Sequence, residues 1–151
     1  MKQFVLKLQE KAQRPVIHLK DFYGIDAMLD TGALFPIWTA EEETLKLLGG
    51  VIEKDNVKFG GFGGIADGKL YKLPRFQVGE LIYPDFHIIS CEMNMPGQAL
   101  LSATMFQGLR YEVDDENHAL TVTIPDKQNN VRNLRIIDEN GRLYVFCQSV
   151  E

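Results

Sequence analysis

Asp30 ends an apolar run, Ala27-Met28-Leu29, and is followed directly by Thr31, Gly32 and Ala33. A carboxylate beside Met28 and Leu29 is costly to bury unless N–H groups and hydroxyls satisfy it. Thr31 supplies a hydroxyl, and Gly32 allows a tight turn and close approach of a neighbour. The local chemistry suits an acid held rigidly at a strand end. A plain Asp-Thr-Gly turn that merely closes a strand uses the same residues, so the context has to decide.

Other chemistries find less support. His18, His87 and His118 lack a metal-site spacing and read as ordinary surface or core histidines, so neither a metal nor a cofactor is expected. Cys91 and Cys147 have no nearby histidine to make a nucleophile, and read as free buried thiols in preference to a disulfide. There is no Gly-x-Ser-x-Gly elbow. The cluster Gly60-Gly61-Phe62-Gly63-Gly64 is not followed by a Lys-Ser/Thr pair or a helix start, which argues against a phosphate cradle. With β-type runs on both sides, it fits a mobile hairpin tip over a bound chain, or a flexible surface loop.

Placing Asp30 requires a frame of strands. "QFVLKL" and "PVIHL" read as short strands, and after "KDFYG" the segment "IDAMLD" carries the chain into Asp30. "TAEEETLKLLGG" is the clear helix signal: Thr39 and Glu42 fit a capping box, Glu41 to Glu43 suit the positive helix end, and Gly49 or Gly50 stops it. Gly79-Glu80 reads as a hairpin turn before a buried strand, "DFHIISCEM". "MNMPGQ" reads as a loop and "ALLSATMFQGL" as a short helix. "YEVDDENHALTVTI" reads as a hairpin, and "VRNLRIIDENGRLYVFCQSV" as another about Asn140-Gly141. Trp38 reads as core or interface.

The bulk numbers frame this. A chain of 151 residues with 45% hydrophobic and 25% charged content suits one domain, taken as residues 1–151. A net charge of -5 with scattered Lys and Arg argues against nucleic acid and a membrane surface as partners. With no apolar run long enough for a signal peptide or membrane span, the expected location is cytoplasmic. The expected class is all-β, a small closed or strongly curled barrel with one or two short helices.

"AMLDTGALFPIWTAEEETLKLLG" resembles the active-site segment of retropepsin-like aspartic proteases: two apolar residues, Asp, Thr or Ser, Gly, then Ala or Ser. "KFGGFGGIADGKLYKLP" stands where that family has its flap hairpin, and "ALLSATMFQGLRYEVDDENHALTV" resembles its distal apolar pair, short helix and final hairpin. The match spans about residues 16–124, leaving 125–151 as a C-terminal hairpin extension. That extension suits either a dimer interface or the cover of a sheet edge within one subunit.

The resemblance implies an acid-protease-like barrel with a catalytic Asp30 supported by Thr31, Gly32 and Ala33. It implies a substrate-binding flap at Gly61, Phe62, Gly63 and Gly64, and a cleft wall at Leu100 and Leu101. Only one Asp-Thr-Gly occurs, so a carboxylate pair requires a homodimer that brings two Asp30 side chains to its axis, with a peptide bound extended in the cleft. Two positions depart from the family pattern: Ser102 stands where Gly is usual, and Thr104 where Asn or Asp is common. A binding module of the same fold without activity is the alternative reading.

Overall fold

The computed structural model describes residues 1–10, 14–61 and 64–151. Twelve strands dominate: β1 Lys2–Lys7, β2 Val16–Leu19, β3 Ile25–Asp30, β4 Ile37–Trp38, β5 Val51–Gly61, β6 Gly64–Val78, β7 Leu81–Ser90, β8 Ala99–Ser102, β9 Arg110–Asp114, β10 Ala119–Ile124, β11 Arg132–Glu139 and β12 Arg142–Ser149. One short helix, α1 Glu42–Leu47, and one 3-10 turn, Ala103–Phe106, complete the described elements.

The largest sheet has seven strands in the order β2-β3-β8-β4-β7-β6-β5. A second has the order β1-β10-β9, and β11 pairs with β12 alone. All-β architecture is therefore as expected, but the pairing among the described residues does not close into one barrel. The seven-stranded sheet ends at β2 and β5; four-residue β2 meets the β1 side only through the bridge Leu8–Ile17.

Most pairs are antiparallel hairpin neighbours, formed where turn chemistry permits. Gly79, at φ 58, joins β6 to β7; Asn140 and Gly141, at φ 54 and 83, join β11 to β12 in the left-handed conformations that a two-residue hairpin needs. The parallel pairs are β3 with β8 and β4 with β7, while β4 and β8 run antiparallel. The core sits on the inner faces of β6 and β7, where Phe76 stacks on Phe86 at 4.6 Å and Phe22 lies 4.5 Å from Phe76.

The helix starts differently from its sequence signal. Its N-cap is Glu41, with no side-chain cap bond. Thr39 lies outside the helix and is buried; its N–H donates to Gln98 O at 2.9 Å, and its hydroxyl has no partner among the described residues. The start is held instead by Thr44 Oγ1 and Trp38 Nε1, which donate to Glu41 O at 2.6 and 3.0 Å. Glu42 faces the sheet, accepting from Tyr71 Oη and from Lys69 Nζ at 3.1 Å; these bonds lower its pKa. Gly49, at φ 92, follows the helix as expected.

The segment Ala99 to Phe106 is not one helix. Ala99–Ser102 is a buried strand, and only Ala103–Phe106 coils. Leu100 and Leu101 bury in the sheet at 1% exposure each, so pairing overrides local helix preference. The C-terminal hairpin lies against β7 of its own chain. Ile82 N–H donates to Asn130 O at 2.9 Å, and Arg135 Nη1 donates to Asp85 O at 2.8 Å. Leu134, Ile136 and Cys147 are buried beneath it.

Candidate active site

β3 has antiparallel β2 on one side and parallel β8 on the other, so Ala27, Met28 and Leu29 are buried and Asp30 emerges half-buried at the end. Its register partner on β8 is Ser102. The chain then turns: Gly32 N–H donates to Asp30 Oδ1 at 3.0 Å, and Ala33 N–H donates to Asp30 O at 3.1 Å. One carboxylate oxygen is thus held by the backbone two residues on, the usual aspartate turn. Thr31 and Gly32 are exposed, Ala33 is half-buried, and the Thr31 hydroxyl makes no hydrogen bond among the described residues.

Gly32 is not required by the packing of a single chain. Its φ is not in the left-handed region, and a Cβ there would meet only Asp30 Oδ1, at an ordinary 3.4 Å.

The two departures, Ser102 and Thr104, lie behind this turn and act together. Thr104 Oγ1 donates to Leu34 O at 2.6 Å, and the Ser102 hydroxyl lies 2.7 Å from Thr104 Oγ1. A threonine hydroxyl has one hydrogen, which Leu34 O takes, so Ser102 is the donor in the second bond. Ser102 is fully buried, and Ala103 N–H donates to Ala33 O at 3.2 Å. The Asp30 turn is therefore tied to the 3-10 turn by two bonds and a relay of hydroxyls.

In front of Asp30 lies a cleft of about 400 Å³, walled by Ala33, Leu34, Phe35, Ile37, Met93 and Leu100 and reached by Gly60 of β5. Phe59 of β5 meets Phe35 edge-on at 6.4 Å, docking the β5–β6 hairpin close to its tip end beside the Asp30 turn. A larger groove, about 1200 Å³, runs past β1 and β2 through Lys7, Leu19 and Asp21, and includes none of Asp30 to Leu34.

The expected site residues sort as follows. Asp30, Gly32, Ala33 and Leu100 meet at the cleft. Leu101 does not line it; it follows Leu100 on the same strand and points to the opposite face, where it is buried. Gly61 and Gly64 pair across the β5–β6 hairpin, and Phe62 and Gly63 lie outside the described residues. Gly60, the first residue of the glycine cluster, reaches the cleft as well, and so does Met93, which the sequence does not mark. Met93 is carried by the loop after β7, where its N–H donates to Thr39 O at 3.0 Å, and no pattern in "CEMNMPGQ" marks it.

This arrangement has a counterpart among solved structures. A retropepsin-like aspartic protease from Rickettsia conorii superposes with a TM-score of 0.53 over 82% of this chain and 91% of that one, at 13% identity. The fold is retropepsin-like. At this identity the likeness is one of fold alone, and no family model and no curated protein matches the chain.

Proposed function

We propose that the protein is an aspartic endopeptidase that hydrolyses peptide bonds as a homodimer, with one Asp30 contributed by each copy. The carrying observation is Asp30 with Thr31 and Gly32 at the open end of a buried strand, facing a cleft, in a retropepsin-like fold. Three features of the single chain favour a second copy in front of it. Gly32 leaves space that the chain itself does not fill, and the exposed Thr31 hydroxyl is free to bond across a two-fold axis. Leu34, 61% exposed beside the acid, is an apolar side chain that such a partner would cover.

Two carboxylates a few ångströms apart hold one proton between them, because two adjacent negative charges repel strongly. The ionised Asp30 takes a proton from water as the water oxygen attacks the peptide carbonyl carbon. Its protonated mate donates to the carbonyl oxygen, giving a tetrahedral diol. Proton transfer to the amide nitrogen then releases the amine as the C–N bond breaks. The substrate lies extended, with the β5–β6 hairpin acting as the flap and the apolar cleft receiving a side chain. No metal takes part. Residues 1–151 act as one cytoplasmic domain, with the hairpin from 125 onward as part of it.

The test pairs the wild type with Asp30→Asn, whose side-chain oxygen can still accept the Gly32 N–H. Cleavage of an unfolded protein or peptide library from weakly acidic to neutral pH is expected from the wild type only, with the variant's unfolding free energy within about 0.5 kcal/mol of the wild type's. A protein that stays monomeric with substrate present defeats the reading, since one carboxylate cannot make the pair. Absent cleavage by a confirmed dimer would point to a peptide-binding module of the same fold.

A further inference from the structure

Arg132 is fully buried, yet every hydrogen-bond acceptor it meets is neutral. Nε donates to Met105 O at 3.3 Å, Nη1 to Gln128 Oε1 at 3.2 Å, and Nη2 to Gln107 O. Two of these carbonyls close the 3-10 turn Ala103–Phe106, where chain carbonyls lack internal partners and carry partial negative charge. The Tyr83 hydroxyl also donates to Met105 O, at 2.8 Å. Gln128 is packed over Gly108, whose added Cβ would lie 3.0 Å from the Gln128 amide. The C-terminal hairpin and the segment before it therefore grip the 3-10 turn from its far side.

The near side of the same turn grips the candidate site. Ser102, Ala103 and Thr104 make the β8 pairing, the bond to Ala33 O and the bond to Leu34 O that hold the Asp30 turn. We propose that Arg132 is a positioning residue for Asp30: its guanidinium fixes the 3-10 turn, and that turn fixes the Asp30 loop. A planar fork with several donors suits this task, since it reaches acceptors in three directions from one anchored side chain. A lysine would offer a compact point charge, and a methionine none.

The bearing on catalysis rests on the peptidase reading, but the coupling itself does not, so the primary readout is amide hydrogen exchange in the wild type, Arg132→Met and Arg132→Lys. The Ala33 and Ala103 amides are expected to exchange about tenfold faster in Arg132→Met, the factor brought by one lost hydrogen bond, and by less in Arg132→Lys. Amides of β6 such as Tyr71 and Leu73 should keep their protection. Faster exchange confined to Met105 through Leu109, with Ala33 unchanged, overturns the proposal. Should Arg132→Met fail to fold, Gln128→Ala removes a single acceptor; the same pattern in weaker form supports the coupling, and an unchanged Ala33 refutes it. If the wild type cleaves peptides, Arg132→Met should lower kcat about tenfold with KM within about twofold. A wild type that cleaves nothing would remove the peptidase reading while exchange at Ala33 still decides the role of Arg132.

Discussion

The hydroxyl relay behind Asp30 makes a quantitative prediction. Thr104→Val keeps the side-chain shape but removes the donor to Leu34 O and the acceptor of the Ser102 hydroxyl. Ser102 is fully buried, so its hydroxyl is then left without a partner. A lost bond at about 1 kcal/mol and a stranded buried hydroxyl at about 1–3 kcal/mol give an expected loss of about 2–4 kcal/mol. Ser102→Ala removes only the outer donor and should cost about 1 kcal/mol. The double variant strands no buried hydroxyl, so it should be more stable than Thr104→Val alone, at a cost of about 1–1.5 kcal/mol. The coupling is then about 1.5–4 kcal/mol, well above the scatter of independent sites. Urea unfolding at one fixed protein concentration, with unchanged m-values, measures all four corners of the cycle. Costs that add to within about 0.5 kcal/mol would refute the relay.

His87 should make stability depend on pH. Its Nδ1 accepts the Ile136 N–H at 2.8 Å, so its proton is on Nε2, which faces Glu53 at 3.0 Å; Arg135 and Lys72 are its positive neighbours. Burial pushes its pKa below the usual 6.5, so the unfolded chain takes up the proton first as pH falls. The contribution is full above 6.5 and is lost as the pH drops through the window below it. His87→Asn retains an acceptor for Ile136 but cannot titrate, so its urea midpoint should fall less than the wild type's from about pH 7 to about pH 5; equal slopes would refute the assignment. Gly68→Ala puts a Cβ 2.7 Å from Ile89 Cγ2 and 2.8 Å from Ser90 O, and should cost about 1–3 kcal/mol by chemical denaturation. An unchanged midpoint would mean that β7 yields there.

Local signals were readable where one residue type decides the backbone. Asn140-Gly141 and Gly79 marked their hairpins, and the apolar run before Asp30 marked a strand with an acid at its end. Pairing between distant strands was not readable, because nothing local distinguishes a parallel partner from an antiparallel one. The β3–β8 pairing therefore stayed hidden, and with it the strand character of Leu100 and Leu101. Thr39 looked like a cap because its spacing to Glu42 is right, but burial against the loop at Gln98 takes it out of reach of the helix. Arg132 did leave a trace: it shares the alternating inward row with Leu134 and Ile136, a core position occupied by a cation. Met93 left none, since a loop residue acquires its neighbours only from the fold.

The parallel ladder that seats Asp30 beside Ser102 also fixes an order of events. The same join ties Asp26 N–H to Gln98 Oε1 across 72 residues, so no hairpin can form it locally. On the ribosome, β3 must wait for β8, and the back of the turn stays incomplete until Arg132 has been added. The roughly 100 intervening residues take about 5–20 s to synthesise at about 5–20 residues per second. Through that interval the nascent chain carries its acid without the surroundings that hold it in place, so competence arrives late, after most of the chain exists.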